Sequence, residues 1–82
     1  MLTRDDILTQ IQGVLAELFE IDPARVTPDA NLNSDLAIDS IDAVDLIDRI
    51  SRVIGKKVSG EDFRSVRTVG DLIAVIERLA AK

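Results

Sequence analysis

The apolar positions of the chain fall into three helical stripes joined by stretches without periodicity. Ile7, Ile11, Val14, Leu15 and Leu18 recur at the three- and four-residue spacing of one helix face. The run Thr3-Arg4-Asp5-Asp6 in front of them has the form of a capping box. A helix is therefore predicted from about Arg4 to Phe19. The second stripe is Ala43, Leu46, Ile47, Ile50, Val53 and Ile54. Asp39 is a favoured N-cap in front of it, and Gly55 stands where a helix ends in the left-handed conformation. Lys56 and Lys57 follow, favourable at the negative end of the dipole. This helix is predicted from Asp39-Ser40 to about Ile54. The third stripe, Val69, Leu72, Ile73, Ile76, Leu79 and Ala80, follows the capping-box run Thr68-Val69-Gly70-Asp71 and is predicted to end near Ala80. Ser59 to Arg64 reads as one short helical turn.

Between the first two stripes, Asp22-Pro23 and Thr27-Pro28-Asp29 interrupt any regular element. A connection of about twenty residues is long for a small domain. Ile21, Val26, Leu32, Leu36 and Ile38 are expected to pin it to the core. The predicted fold is all-α: a four-helix bundle of three main helices, one short helix and a long first loop, in a single domain over residues 1–82.

Composition narrows the chemistry. The 82 residues include no Cys and no His. This excludes disulfides, thiolate or imidazole metal sites, and nucleophile–histidine machinery. A carboxylate pair would remain, but a chain this short has little volume for a substrate cleft beside its core. The expectation is a protein that is not an enzyme. The formal net charge of −5 opposes nucleic acid and anionic membranes and favours partners with basic patches. No apolar run is long enough to span a bilayer, and the first residues lack a signal-peptide core. A cytoplasmic monomer without membrane insertion is expected.

The second helix carries the candidate chemistry. At about 100° per residue, Asp42, Asp45, Asp48, Arg49 and Arg52 lie opposite its apolar side, and Ile41 falls among them. An apolar side chain on an acidic face suits a binding surface, although a lone exposed Ile is also ordinary. Asp45–Arg49 and Asp48–Arg52 have i,i+4 spacing, worth about 0.3–0.5 kcal/mol each, so the charges equally fit a solvated face. Ser40 stands at the first turn, where free N–H groups and the helix dipole favour a phosphate. It also fits a plain helix cap.

The run Asp35-Leu36-Ala37-Ile38-Asp39-Ser40-Ile41-Asp42-Ala43-Val44-Asp45-Leu46 resembles the attachment motif of acyl carrier proteins of the free-standing bacterial type, D-L-G-x-D-S-L-D-x-V-E-L. In that family the motif opens the second of four helices. The order of elements agrees over nearly the whole chain, and Val26-Thr27-Pro28 and Leu32 suit the family's first loop. The resemblance implies that a phosphopantetheinyl transferase attaches 4′-phosphopantetheine to Ser40, with Asp39 positioning the transferase or its metal. It implies a carrier of acyl thioesters for enzymes of fatty-acid, specialised lipid or polyketide biosynthesis. Such acyl-transferring and acyl-modifying enzymes would dock basic patches on Ile41, Asp42, Val44, Asp45 and Asp48. It also implies that acyl chains can slip between the helices, with Leu46, Ile50, Ile54, Phe63 and Ile73 as candidate walls. Ala37, Ile41 and Asp45 replace the usual Gly, Leu and Glu. Arg49, Ser51 and Arg52 weaken the acidic face toward the helix end, which suits a specialised pathway at least as well as primary fatty-acid synthesis.

Two other readings compete. Asp29, Asn31, Asn33 and Asp35 occupy the first four ligand positions of an EF-hand-like register, but Ser34 and Ser40 replace its turn Gly and bidentate Glu, so no metal site is expected. An acidic helical interaction module without a covalent cofactor explains Ile41 and the acidic face, and leaves the attachment motif a coincidence.

Overall fold

The Thr3 hydroxyl accepts the Asp6 N–H, and the Asp6 carboxylate accepts the Thr3 N–H in return. This box starts α1, Arg4–Phe19, in the computed structural model, which describes residues 3–80. The two residues at each end of the predicted domain lie outside that range. Helix α2 is Ser40–Ile54, α3 is Gly60–Phe63 and α4 is Val69–Ala80. Gly55 closes α2 at φ 69°, where a side chain would be strained. Ser59 and Asp62 form a third reciprocal box that lets so short a helix as α3 hold together. Among the described residues the fold is all-α with three main helices, as the periodicity predicts.

Helix α1 packs on α2 and α4, and α3 bridges α2 and α4. Leu15, Leu46 and Leu72, one from each main helix, are fully buried at the centre. Val75 is buried although it lies off the predicted stripe of α4, and Ala80, on that stripe, is exposed. The apolar side of α2 is narrower than its periodicity suggests. Only Leu46 and Ile50 are buried, Ala43, Ile47 and Ile54 are half-buried, and Val53 is 43% exposed. One edge of α2 meets α1 and α4, another meets α3, and its remaining face looks outward.

The long connection contains a single 3-10 turn, Pro23–Arg25, with Asp22 capping it. Ile21, Val26, Leu32, Leu36 and Ile38 are all buried, as expected, and Ala30 joins them. The loop is also tied to the start of α4. The Leu32 N–H donates to the Arg67 carbonyl, the Val69 N–H to that of Ala30 and the Gly70 N–H to that of Pro28. At Gly70 a Cβ would lie 3.1 Å from the Pro28 oxygen, so a side chain there would press on the strap that the loop forms along the start of α4. The side chains in the EF-hand-like register close turns instead. Asn31 Oδ1 accepts the N–H groups of Asn33 and Ser34, and Asp35 Oδ2 accepts that of Asn31 at 2.7 Å.

Ala37 has φ 56°, in the left-handed region that costs an L-residue about 1–2 kcal/mol. Ala37→Gly relieves this strain and adds some unfolded-state entropy, so a net gain of roughly 0.5–1 kcal/mol is expected. A higher urea midpoint with unchanged slope is the expected result, and an unchanged or lower midpoint would contradict it.

Asp71 caps α4. The backbone N–H groups of Arg67 and Thr68 both donate to its carboxylate and hold its pKa below the ordinary 3.8. A depressed native pKa means that the unfolded chain binds more protons. The contribution is therefore complete above about pH 4 and is lost as pH falls through the native value. Asp71→Asn should lower the melting temperature at neutral pH and flatten the acid side of the stability profile. Parallel acid limbs in the two proteins would refute this.

Candidate functional site

The site is the N-terminal mouth of α2. Asp39 caps the helix, and its Oδ1 accepts the N–H groups of Ile41 and Asp42, both at 2.9 Å. The Asp42 carboxylate reaches back toward the Asp39 N–H, completing a box with Asp at both corners. This changes the picture of the first turn in two ways. Ser40 is not the cap: its side chain is exposed, and among the described residues its hydroxyl makes no hydrogen bond. The helix N–H groups expected to receive a phosphate are also partly taken, since two of them already serve Asp39.

Ser40 opens onto a groove of about 400 Å³ between α2, α3 and the strap of the long loop. Ile47 and Phe63 give it an apolar floor, and Leu32, Ile38 and Val66 extend it. Of the five candidate walls, only Phe63 lines this groove. Leu46 and Ile73 point fully into the core, and Ile50 and Ile54 line a separate cleft of about 50 Å³ against α1 and α4. Leu46, Ile50 and Ile54 lie on the edge of α2 that meets α1 and α4, turned away from α3, and Ile73 lies on the buried face of α4. The groove also takes in Asn33, Arg64 and Arg67, none of them marked as a wall by the sequence pattern. They come from a loop and from the segment after a one-turn helix, where no periodicity marks a face.

The outer face of α2 presents Ile41, 76% exposed, and Val44, 65% exposed. Asp39, Asp45 and Asp48 are exposed around them and Asp42 is half-buried. Asp48 pairs with Arg52 at 3.3 Å, as its spacing predicts. The predicted Asp45–Arg49 pair does not form. Arg49 turns across the helix seam to Glu17 of α1 at 2.8 Å, where its side chain is two-thirds covered and the attraction is less screened. Asp45 is left without an ion pair among the described residues, so the acidic patch is larger than the sequence count implies.

An exposed, unbonded serine hydroxyl that follows an aspartate cap and opens on an apolar groove matches a known pattern. The family described as "Phosphopantetheine attachment site" matches residues 9–76, a span that covers the whole of α2 and the groove. The chain belongs to the acyl carrier protein family. Acyl carrier protein 2 of Ralstonia nicotianae is 48% identical over 80 residues, covering 98% of this chain and 99% of that one. The meromycolate extension acyl carrier protein of Mycobacterium tuberculosis is 33% identical over 78 residues, 95% of this chain and 68% of the other. Among solved structures, an acyl carrier protein from Enterococcus faecalis superposes with a TM-score of 0.76 at 27% identity, covering 95% of this chain and 99% of that one. The cofactor of this carrier family is 4′-phosphopantetheine, and the site has the parts to receive it: a free hydroxyl as anchor and an apolar trough beside it. No helix among the described residues is long and apolar enough to cross a membrane.

Proposed function

We infer that this protein carries acyl groups on a 4′-phosphopantetheine arm esterified to Ser40, without catalysing their chemistry itself. The observation that carries this reading is the division of labour at the mouth of α2. Asp39 does the capping, and the Ser40 hydroxyl is left exposed and unengaged beside a groove. When bound, the arm supplies the thiol that this Cys-free chain lacks, on which acyl groups ride as thioesters. The chain's own part is to hold the anchor, shelter the arm's surroundings and present a face to partners. A phosphopantetheinyl transferase would use Ser40 as its acceptor, with Asp39 helping to position that enzyme. The test is intact mass after incubation with coenzyme A and a broad-specificity transferase, with peptide mapping of the added group. One phosphopantetheine on the peptide holding Ser40 is expected. No mass gain, or a gain elsewhere, would overturn the proposal.

Acyl-transferring and acyl-modifying enzymes would dock on Ile41 and Val44 with basic residues facing Asp42, Asp45 and Asp48. Rim charges of this kind set encounter rate more than final affinity. Asp45→Lys is therefore expected to slow loading by a basic transferase about tenfold at low salt, with most of the difference gone at high salt. Equal rates at both salts would remove Asp45 from the docking face. The M. tuberculosis relative is named for meromycolate extension. That name, with Arg52 standing among the acids of the outer face, supports a specialised lipid pathway as readily as primary fatty-acid synthesis. A monomer working in the cytoplasm is the simplest setting for a carrier that must visit several enzymes.

A further inference from the structure

Five of the seven arginines are engaged by the protein itself. Arg4 pairs with Glu77, Arg49 with Glu17, Arg52 with Asp48 and Arg78 with Asp62, and Arg25 donates to the Asp35 carbonyl. Among the described residues, Arg64 and Arg67 make no ion pair, although Arg67 lies near enough to Asp71 to be felt by its carboxylate. Both line the groove that Ser40 opens on, and among the described residues they are its only cations. They enter it from the α3–α4 side, whereas Ser40 and Asp39 enter from α2.

A phosphodiester on Ser40 would be poorly served by its own helix. Its immediate neighbour is the Asp39 carboxylate, and the N–H groups of Ile41 and Asp42 are already bonded to that carboxylate. Compensation must come from elsewhere in the site, and a guanidinium suits a phosphate because its planar fork can donate two parallel hydrogen bonds. We propose that Arg64 and Arg67 hold the phosphodiester of the Ser40-linked arm, drawing its first segment over Phe63 and Ile47 instead of out into solvent. The proposal rests on Ser40 being the attachment point. It gives the groove a direction, with the anionic end of the arm at the arginine rim and the neutral pantetheine chain on the apolar floor.

The test compares apo and holo protein by methyl and aromatic NMR, after intact mass has confirmed loading. In the wild type, the Ile47 methyl and Phe63 ring signals should shift on loading. In Arg64→Gln/Arg67→Gln those shifts should fall to roughly half or less, and high salt should weaken the wild-type shifts in the same way. Arg64→Lys/Arg67→Lys keeps the charge without the fork and should restore part of the effect. Since both side chains are exposed, the apo variants should melt within roughly 0.5 kcal/mol of wild-type stability. Wild-type shifts persisting in the Gln variant would overturn the proposal. So would an arginine dependence seen only when the arm bears a carboxylate-terminated acyl group such as succinyl, which would assign the rim to the cargo. Failure of the attachment reading is separate, because it appears as no mass gain at all.

Discussion

Ser40→Ala is expected to abolish loading completely, with no phosphopantetheine added after exhaustive incubation with coenzyme A and transferase. The change removes the proposed acceptor atom, so the expected outcome is all or none. It should leave the fold intact. The Ser40 hydroxyl holds no hydrogen bond among the described residues, and the helix start is secured by Asp39 and Asp42. Melting of the variant should match wild type, which separates loss of the acceptor from loss of structure. Ser34→Ala is the matching control, an exposed serine at the end of the strap that should load fully. If Ser40→Ala still gained the group, or Ser34→Ala lost it, the attachment point would lie elsewhere.

The largest stability effect is expected from Leu46→Ala. Leu46 is 0% exposed and stands at the meeting of the three main helices. Truncation removes buried methyl groups and leaves a cavity that neighbours on three sides cannot fully close, for a loss of about 2–5 kcal/mol. A domain this size has only about 4–12 kcal/mol in total, so the loss is a large share of the whole. Val44→Ala, two residues away on the same helix, should cost no more than about 0.5 kcal/mol because its side chain is 65% exposed. Urea titrations of the pair decide which edge of α2 carries the fold and which is free for partners. Similar losses from the two would mean that the helix is rotated from the orientation described. The coupling to function is direct: α2 is both a core wall and the platform that presents Ser40.

The helices and their ends were legible because their causes are local. Hydrophobic spacing within α1, α2 and α4 reports one face of each, and the boxes at Thr3, Asp39 and Thr68 bond residues three positions apart. Ser40 was legible through the run from Asp35 to Leu46, a pattern that needs no tertiary information. Its apparent rival role as a cap was settled only by geometry, because Asp39 and Ser40 are adjacent and either side chain type can cap.

Spacing along the chain sufficed to establish three amphipathic helices and a packed loop, and the run from Asp35 to Leu46 carried the family resemblance, because each of these depends on neighbours within a few residues. Tertiary structure decided what depends on distant segments meeting. Arg49 pairs with Glu17 and not Asp45 because the packing of α1 on α2 lays its side chain across the seam, within 2.8 Å of that carboxylate. Leu46 left the groove for the core because α2 turns that edge toward α1 and α4, and Ile73 did so because it stands on the buried face of α4. Arg64 and Arg67 reached the same groove as Ser40 because the strap from Pro28 to Leu32 fixes the start of α4 beside the loop. Periodicity states which residues share a face, and only the packing of helices states what that face meets.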